Sequence, residues 1–279
     1  MLVGFAAEVL KLRKRPAVWM IVAVWIMLAV VFGYLFPYLA YRSATGPKAA
    51  LGKQALVQAL PADLVGTAVQ GFPLFAGALA MLLGVLATGG EYGWNTMKAL
   101  LTQGPGRVSV VAGKALALVS LMLLVVLTSF AVDALCSVVT ASITDSAMDW
   151  PGVSDLVRGI AGGWLIVTMW CLGGAFLGIA FRGTALAAGI GLVWALAIEN
   201  LLRVFSSIVS GLDTVQKYLP GTNAGALAAA LGSPTQSAPG GTPGVTTAVG
   251  GTQAGITLAL YIVLFAVAAS VLVKRRDIA

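Results

Sequence analysis

The sequence has no histidine, two cysteines, and only 10% charged residues in a chain of 279. Without histidine, imidazole acid–base chemistry and most zinc sites are excluded. Cys136 and Cys171 both sit inside apolar runs, with no neighbours that would make a disulfide framework or a metal cluster. There is no G-x-S-x-G elbow, no Cys–His pair and no close pair of carboxylates deep in an apolar run, so no catalytic constellation is present. A phosphate loop of the form G-x-x-x-x-G-K-[ST] is also missing. Its nearest approach, Gly106 to Lys114, has six residues between the glycines and Ala115 after the lysine. The shortage of charge says most. A soluble domain carries about 25% charged residues, whereas here 59% of the chain is hydrophobic. No water-compatible shell can be made from that composition, so the expected solvent is lipid.

What is there is six long apolar runs, at residues 17–39, 65–88, 115–140, 159–181, 184–202 and 254–273. Crossing a bilayer as a helix takes about 20 such residues. Backbone groups in lipid must pair within their own segment, and the runs lack the alternation of barrel strands, so they are predicted to be helices. The first run exceeds the roughly 7–15 residues of a signal-peptide core, and the N-terminus is expected to remain. The net charge of +7 falls between the runs, where it fits membrane orientation better than nucleic-acid binding. With a cytoplasmic N-terminus, the inner side collects Lys11, Arg13, Lys14, Arg15, Lys98, Arg107, Lys114, Arg182, Lys274, Arg275 and Arg276, and the outer side six other cations. Both termini are then expected in the cytoplasm.

Three segments outside the runs carry information. Residues 1–16 place Phe5, Val9 and Leu12 at helical spacing beside Glu8, Lys11 and Arg15, which predicts an interfacial helix turning at Pro16 into the first span. Residues 48–60 suggest a short helix on the outer surface. Residues 203–252 begin as short helices dipping into the outer leaflet. They end in SPTQSAPGGTPGVTTAVGG, whose composition predicts a flexible loop.

Between the second and third runs lies a polar island, GGEYGWNTMKALLTQGPGRVSVVAGK, residues 89–114. Glu91 near its start and Lys98 further along suit the dipole of a short helix, which Gly104, Pro105 and Gly106 then break. Trp94, Leu100 and Leu101 would be apolar knobs on a cytoplasmic docking element. Elsewhere, Asp133 reads either as a hydrogen-bonded residue at the outer rim or as a polar lining of a path. Glu199 and Arg203, four apart, fit a helical ion pair, while Glu199 with Asn200 also fits an outer gate. Gly159–Gly163 and Gly174–Gly178 are G-x-x-x-G pairs expected to serve packing within the bundle. Trp19, Trp25, Trp150 and Trp164 are expected as interfacial or lipid-facing anchors. Trp170 and Trp194 lie further inside their runs and could face a cavity.

The chain resembles permease subunits of ATP-binding-cassette exporters of the second export class. The resemblance rests on E-x-x-x-x-T-h-x-x-L-L followed by Arg and GK, here Glu91, Thr96, Leu100, Leu101, Arg107, Gly113 and Lys114. It is joined by the basic helix Glu8 to Arg15 before the first span, by Tyr218–Leu219–Pro220 between the fifth and sixth, and by Arg276 and Asp277 at the chain end. It implies an all-α, six-span membrane protein with an elbow helix carrying Glu8, Lys11, Arg13, Lys14 and Arg15. It also implies a coupling helix in the island, with Glu91, Tyr92, Trp94, Thr96, Lys98, Leu100, Leu101 and Arg107 seated against a separate ATPase. Two ATPase copies and a second permease copy, identical or paralogous, would complete the transporter in the cell membrane. ATP and Mg would be bound by the partner, with no cofactor on this chain.

The expected function is export of a hydrophobic or amphipathic substrate (drug, antibiotic, peptide or lipid), with Asp133, Glu199, Asn200, Trp170 and Trp194 as candidates for the path or outer gate. Two other classes fit the same chain: an ion-gradient-driven secondary transporter, which needs buried ionisable groups of its own, and a non-transporting membrane scaffold or immunity protein.

Overall fold

A computed structural model describes residues 2–93, 106–205 and 211–275. The described residues are mostly helical with no strand, and six helices are long and apolar enough to cross a membrane. These are span 1 (Pro16–Ser43), span 2 (Pro61–Gly93), span 3 (Val108–Ile143), span 4 (Val153–Phe181), span 5 (Ala185–Arg203) and span 6 (Gly251–Arg275). The chain is a polytopic membrane protein. Every span but the fifth extends past the apolar run that predicts it, because a helix continues through the polar turns at its ends once its backbone ladder is established.

Helix α1 (Leu2–Lys14) precedes span 1 and packs against the start of span 3. At the opposite, distal end lie α2 (Ala49–Gln58), α3 (Leu212–Gln216) and α4 (Pro220–Ala230). The end bearing α1 also carries the end of span 2, the start of span 3, and Lys274 and Arg275 of span 6. It is called the basic end below.

Spans 2 and 4 form the central pair. Their close approach is made by glycines: a Cβ on Gly84 would run into the carbonyl of Cys171, and one on Gly174 into that of Met81. Thr88 Oγ1 donates across the seam to the Ala175 carbonyl at 3.0 Å. Both G-x-x-x-G pairs therefore serve packing inside the bundle, Gly159 and Gly163 lying against Val65, Phe72 and Phe130. Phe72, Leu83, Met122, Ile166 and Met169 are buried around this seam.

Three spans contain a wide, π-helical stretch: Val31–Leu35, Phe72–Ala76 and Val193–Ile198. Prolines accompany two of them. Pro37 and Pro73 have no N–H to donate to the carbonyl four residues back, and the helix accommodates the missing bond locally.

The tryptophans divide differently from the expectation. Trp19 and Trp150 are about half exposed, as anchors require. Trp25 is buried, set edge-on to Phe72 with centroids 5.4 Å apart, because the face of span 1 that carries it packs on the bundle. Trp164 is partly buried and donates from Nε1 to the Val119 carbonyl at 3.0 Å.

The loop 231–250, which holds nearly all of the stretch expected to be flexible (233–251), is pinned instead. Ser233 is buried and donates from Oγ to the Gly66 carbonyl at 2.7 Å. Thr242 Oγ1 donates to Gln70 Oε1 at 2.9 Å, and Val245 is buried. Its glycines serve reversal and close approach, with positive φ at Gly232, Gly240 and Gly244.

Candidate functional site

At the basic end, four charged side chains from three elements meet. Glu8 of α1 lies one helical turn before Leu12, and both are buried. Phe5 packs on the core as well, whereas Val9 is 39% exposed, so the inward face of α1 is Phe5–Glu8–Leu12 rather than Phe5–Val9–Leu12. Glu91 stands in the last turn of the helix Gly77–Gly93, and Lys114 in the second turn of the helix Arg107–Ile143. Lys114 Nζ donates to Glu8 Oε2 at 2.8 Å, to Glu91 Oε1 at 2.8 Å and to the Ala87 carbonyl at 3.3 Å. Lys11 Nζ donates to Glu91 Oε1 at 2.8 Å and also to Glu8 Oε1.

The side chains of Lys114 and Glu91 are each 3% exposed and Lys11 is 36% exposed. Two carboxylates face two ammonium groups, so the cluster is neutral as a unit, the condition under which buried charge is tolerated. Burial alone would depress the Lys11 ammonium. The hydrogen bonds and charges of Glu8 and Glu91 outweigh that and hold its pKa above the ordinary lysine value.

Neighbouring contacts lock the cluster. A Cβ on Gly113 would lie 3.3 Å from the Gly4 carbonyl carbon, so the residue before Lys114 lets α1 cross close to span 3. Arg15 Nη1 donates to the Leu86 carbonyl at 2.9 Å, and Trp19 Nε1 to the Arg13 carbonyl at 2.8 Å. Arg13 and Lys14 are exposed. Tyr92 packs against the cluster formed by Val111, Ile179, Ala269 and Val273, bringing the end of span 2 to a patch shared by spans 3, 4 and 6.

This geometry corrects the reading of Glu91 as the first turn of a separate docking helix. It belongs to span 2 and faces inward, because the helix runs on through Gly93 and turns the carboxylate toward two lysines. Trp94, Thr96, Lys98, Leu100 and Leu101 lie outside the described residues. Arg107 opens the span 3 helix, and its side chain is likewise outside them.

A second feature lies toward the distal end. A cavity of about 380 Å³ opens between spans 1 and 2. Its walls are apolar and aromatic, with Trp25, Phe32, Phe36, Phe72 and Phe75 among them. Phe32 stacks on Phe75 at 6.3 Å and meets Phe36 edge-on at 5.2 Å. Gln58, Thr67, Gln70 and Thr242 supply a few polar groups, and residues Gly240 to Pro243 of the pinned loop close one side. None of these polar residues was marked by the sequence. A proline in each of the two lining spans, Pro37 and Pro73, was the available signal.

The remaining candidates do not line that cavity. Trp170 is buried in the core, its ring against Gly77. Asp133 is 1% exposed rather than at a solvated rim. Glu199 is also buried and accepts from Trp194 Nε1 at 2.8 Å and from the Thr222 backbone N–H at 3.2 Å. A carboxylate is thereby set at the start of α4, where unpaired N–H groups and the helix dipole favour it. Arg203 Nη1 donates to Asn200 Oδ1 at 2.9 Å, and Asn200 Nδ2 to the Leu196 carbonyl at 2.8 Å. In this arrangement Glu199 straps span 5 to α4.

No curated protein matches the chain. The sequence profile of ABC-2 family transporter proteins matches residues 5–197, from α1 and its buried ion cluster through most of span 5. With six membrane spans and most of its length in that match, the chain belongs to the ABC-2 transporter family, as a membrane-embedded permease and not itself a catalytic subunit.

Proposed function

We propose that this chain is the permease of an exporter that moves a hydrophobic or amphipathic molecule, driven by a separate ATPase that docks on residues 94–107. The observation that carries the reading is the buried cluster of Glu8, Lys11, Glu91 and Lys114. It joins α1 to the two helix ends that flank 94–105, so a push on that segment is delivered to spans 2 and 3 as one body. Trp94, Thr96, Lys98, Leu100, Leu101 and Arg107 are the docking residues in this reading, and Glu91 braces them from behind. ATP and Mg are held by the partner, which acts in two copies beneath a pair of permeases. The basic end faces the cytoplasm of a cell membrane, by the distribution of lysine and arginine. The substrate class follows from the aromatic cavity between spans 1 and 2, which has few polar groups.

The test is co-purification with the ATPase encoded beside the gene, followed by ATPase and transport assays in proteoliposomes. Trp94→Ala is expected to abolish co-purification. Glu91→Gln is expected to preserve it while lowering substrate-stimulated ATP turnover about tenfold. Unchanged binding and transport in Trp94→Ala would overturn the docking role. Gradient-driven transport without any ATPase would overturn the class.

A further inference from the structure

The outer half of span 3 carries a stripe of polar residues at four-residue spacing: Ser129, Asp133 and Ser137. All three are buried, at 0%, 1% and 0% exposure. Four-residue spacing stacks them on one helix face, and that helix packs against the Val31–Leu35 stretch of span 1. Tyr34 of that stretch is 4% exposed, and its hydroxyl lies within electrostatic reach of Asp133. Three polar atoms here have no hydrogen-bond partner: Tyr34 Oη, Ser129 Oγ and Asp133 Oδ2. Among the described residues no lysine or arginine pairs with Asp133. Among the described residues, Cys136 on the same helix also feels its charge.

An unbalanced carboxylate in a low-dielectric bundle and unpaired hydroxyls beside it are each costly. One occupant removes these costs together. We propose that Tyr34, Ser129 and Asp133 form a binding site for a small monovalent cation, Na⁺ or K⁺, between spans 1 and 3. The ligands are hard oxygens, the donor type that alkali and alkaline-earth ions select. A single carboxylate balances one positive charge, whereas a divalent ion would leave a net charge buried. A proton on Asp133 would neutralise the carboxyl and could be shared with at most one hydroxyl oxygen; a cation draws lone pairs from all three. The site is separate from the aromatic cavity and from the ion cluster at the basic end, and it holds whether or not the substrate class proposed above is right.

The test is thermal unfolding of the purified full chain in lipid nanodiscs, with NaCl or KCl exchanged for N-methyl-D-glucamine chloride at fixed pH and ionic strength. The expected result is a saturable rise in the midpoint with Na⁺ or K⁺. Ser129→Ala and Tyr34→Phe should each raise the half-saturating concentration by about tenfold. Asp133→Asn should abolish the dependence, with a midpoint in N-methyl-D-glucamine at or above that of the unsubstituted chain, because the unbalanced charge is gone. If Asp133→Asn does not fold, the two hydroxyl variants decide alone. A midpoint that follows ionic strength regardless of the cation would overturn the site. So would a cation response that survives Asp133→Asn, or one that follows pH and ignores Na⁺ and K⁺.

Discussion

Lys114 is the side chain on which most depends for its size. It reaches α1 through Glu8 and span 2 through Glu91 from a position on span 3. Removing one member of a buried, balanced set leaves an uncompensated charge, at a cost of about 3–5 kcal/mol. Lys114→Met is therefore expected to lower the thermal midpoint sharply in detergent. Glu91→Gln/Lys114→Met, which restores neutrality, should lose clearly less than the two single changes added together. Alkali gives a second reading of the same cluster. The pKa of Lys11 is raised on folding, so its contribution is complete below the unfolded value of about 10.4. It is lost as pH climbs through the folded value. Stability measured across the alkaline range should fall above about pH 10.4, and Lys11→Met should flatten that fall. Each of these residues was visible in the sequence, but Glu8 and Lys114 are 106 positions apart. No local periodicity pairs residues at that distance, so Glu91 read as a surface charge when it is an inward one.

At the scale of elements, the glycines of spans 2 and 4 set the spacing of the bundle. Gly84 and Gly174 meet the opposing backbone directly, and a side chain on either has nowhere to go. Gly174→Leu should force the pair apart, with early elution or aggregation on size-exclusion chromatography. Gly189→Ala, with open space around it, should leave the profile unchanged. The helices themselves were legible, because about 20 apolar residues in a row have few other fates. That the two G-x-x-x-G pairs serve the bundle was legible too, although which span they face was not. The wide stretches at Val31–Leu35 and Phe72–Ala76 stand beside Pro37 and Pro73, which signal a lost hydrogen bond without saying how the helix absorbs it. The distal segment 231–250 was misread for a related reason. Gly, Pro, Ser and Thr forbid a core of their own, yet Ser233 and Thr242 find partners on span 2 that composition cannot reveal.

Taken whole, the molecule is six rods gathered around one glycine seam, with a charged knot at one end and an aromatic cleft toward the other. Among the described residues one rod is longer than the rest. The helix Arg107–Ile143 runs unbroken for 37 residues, about 55 Å at the usual rise. A hydrocarbon layer is only about 30 Å thick, or about 40–45 Å with its headgroups. This rod must lean or stand proud of the bilayer, and the balance between the two is set by the lipid. Because the same rod carries Lys114 near one surface and Asp133 about 28 Å further along, thinning or thickening the membrane alters its tilt and so shifts both ends at once. Acyl-chain length thereby becomes an input to the machine in its own right.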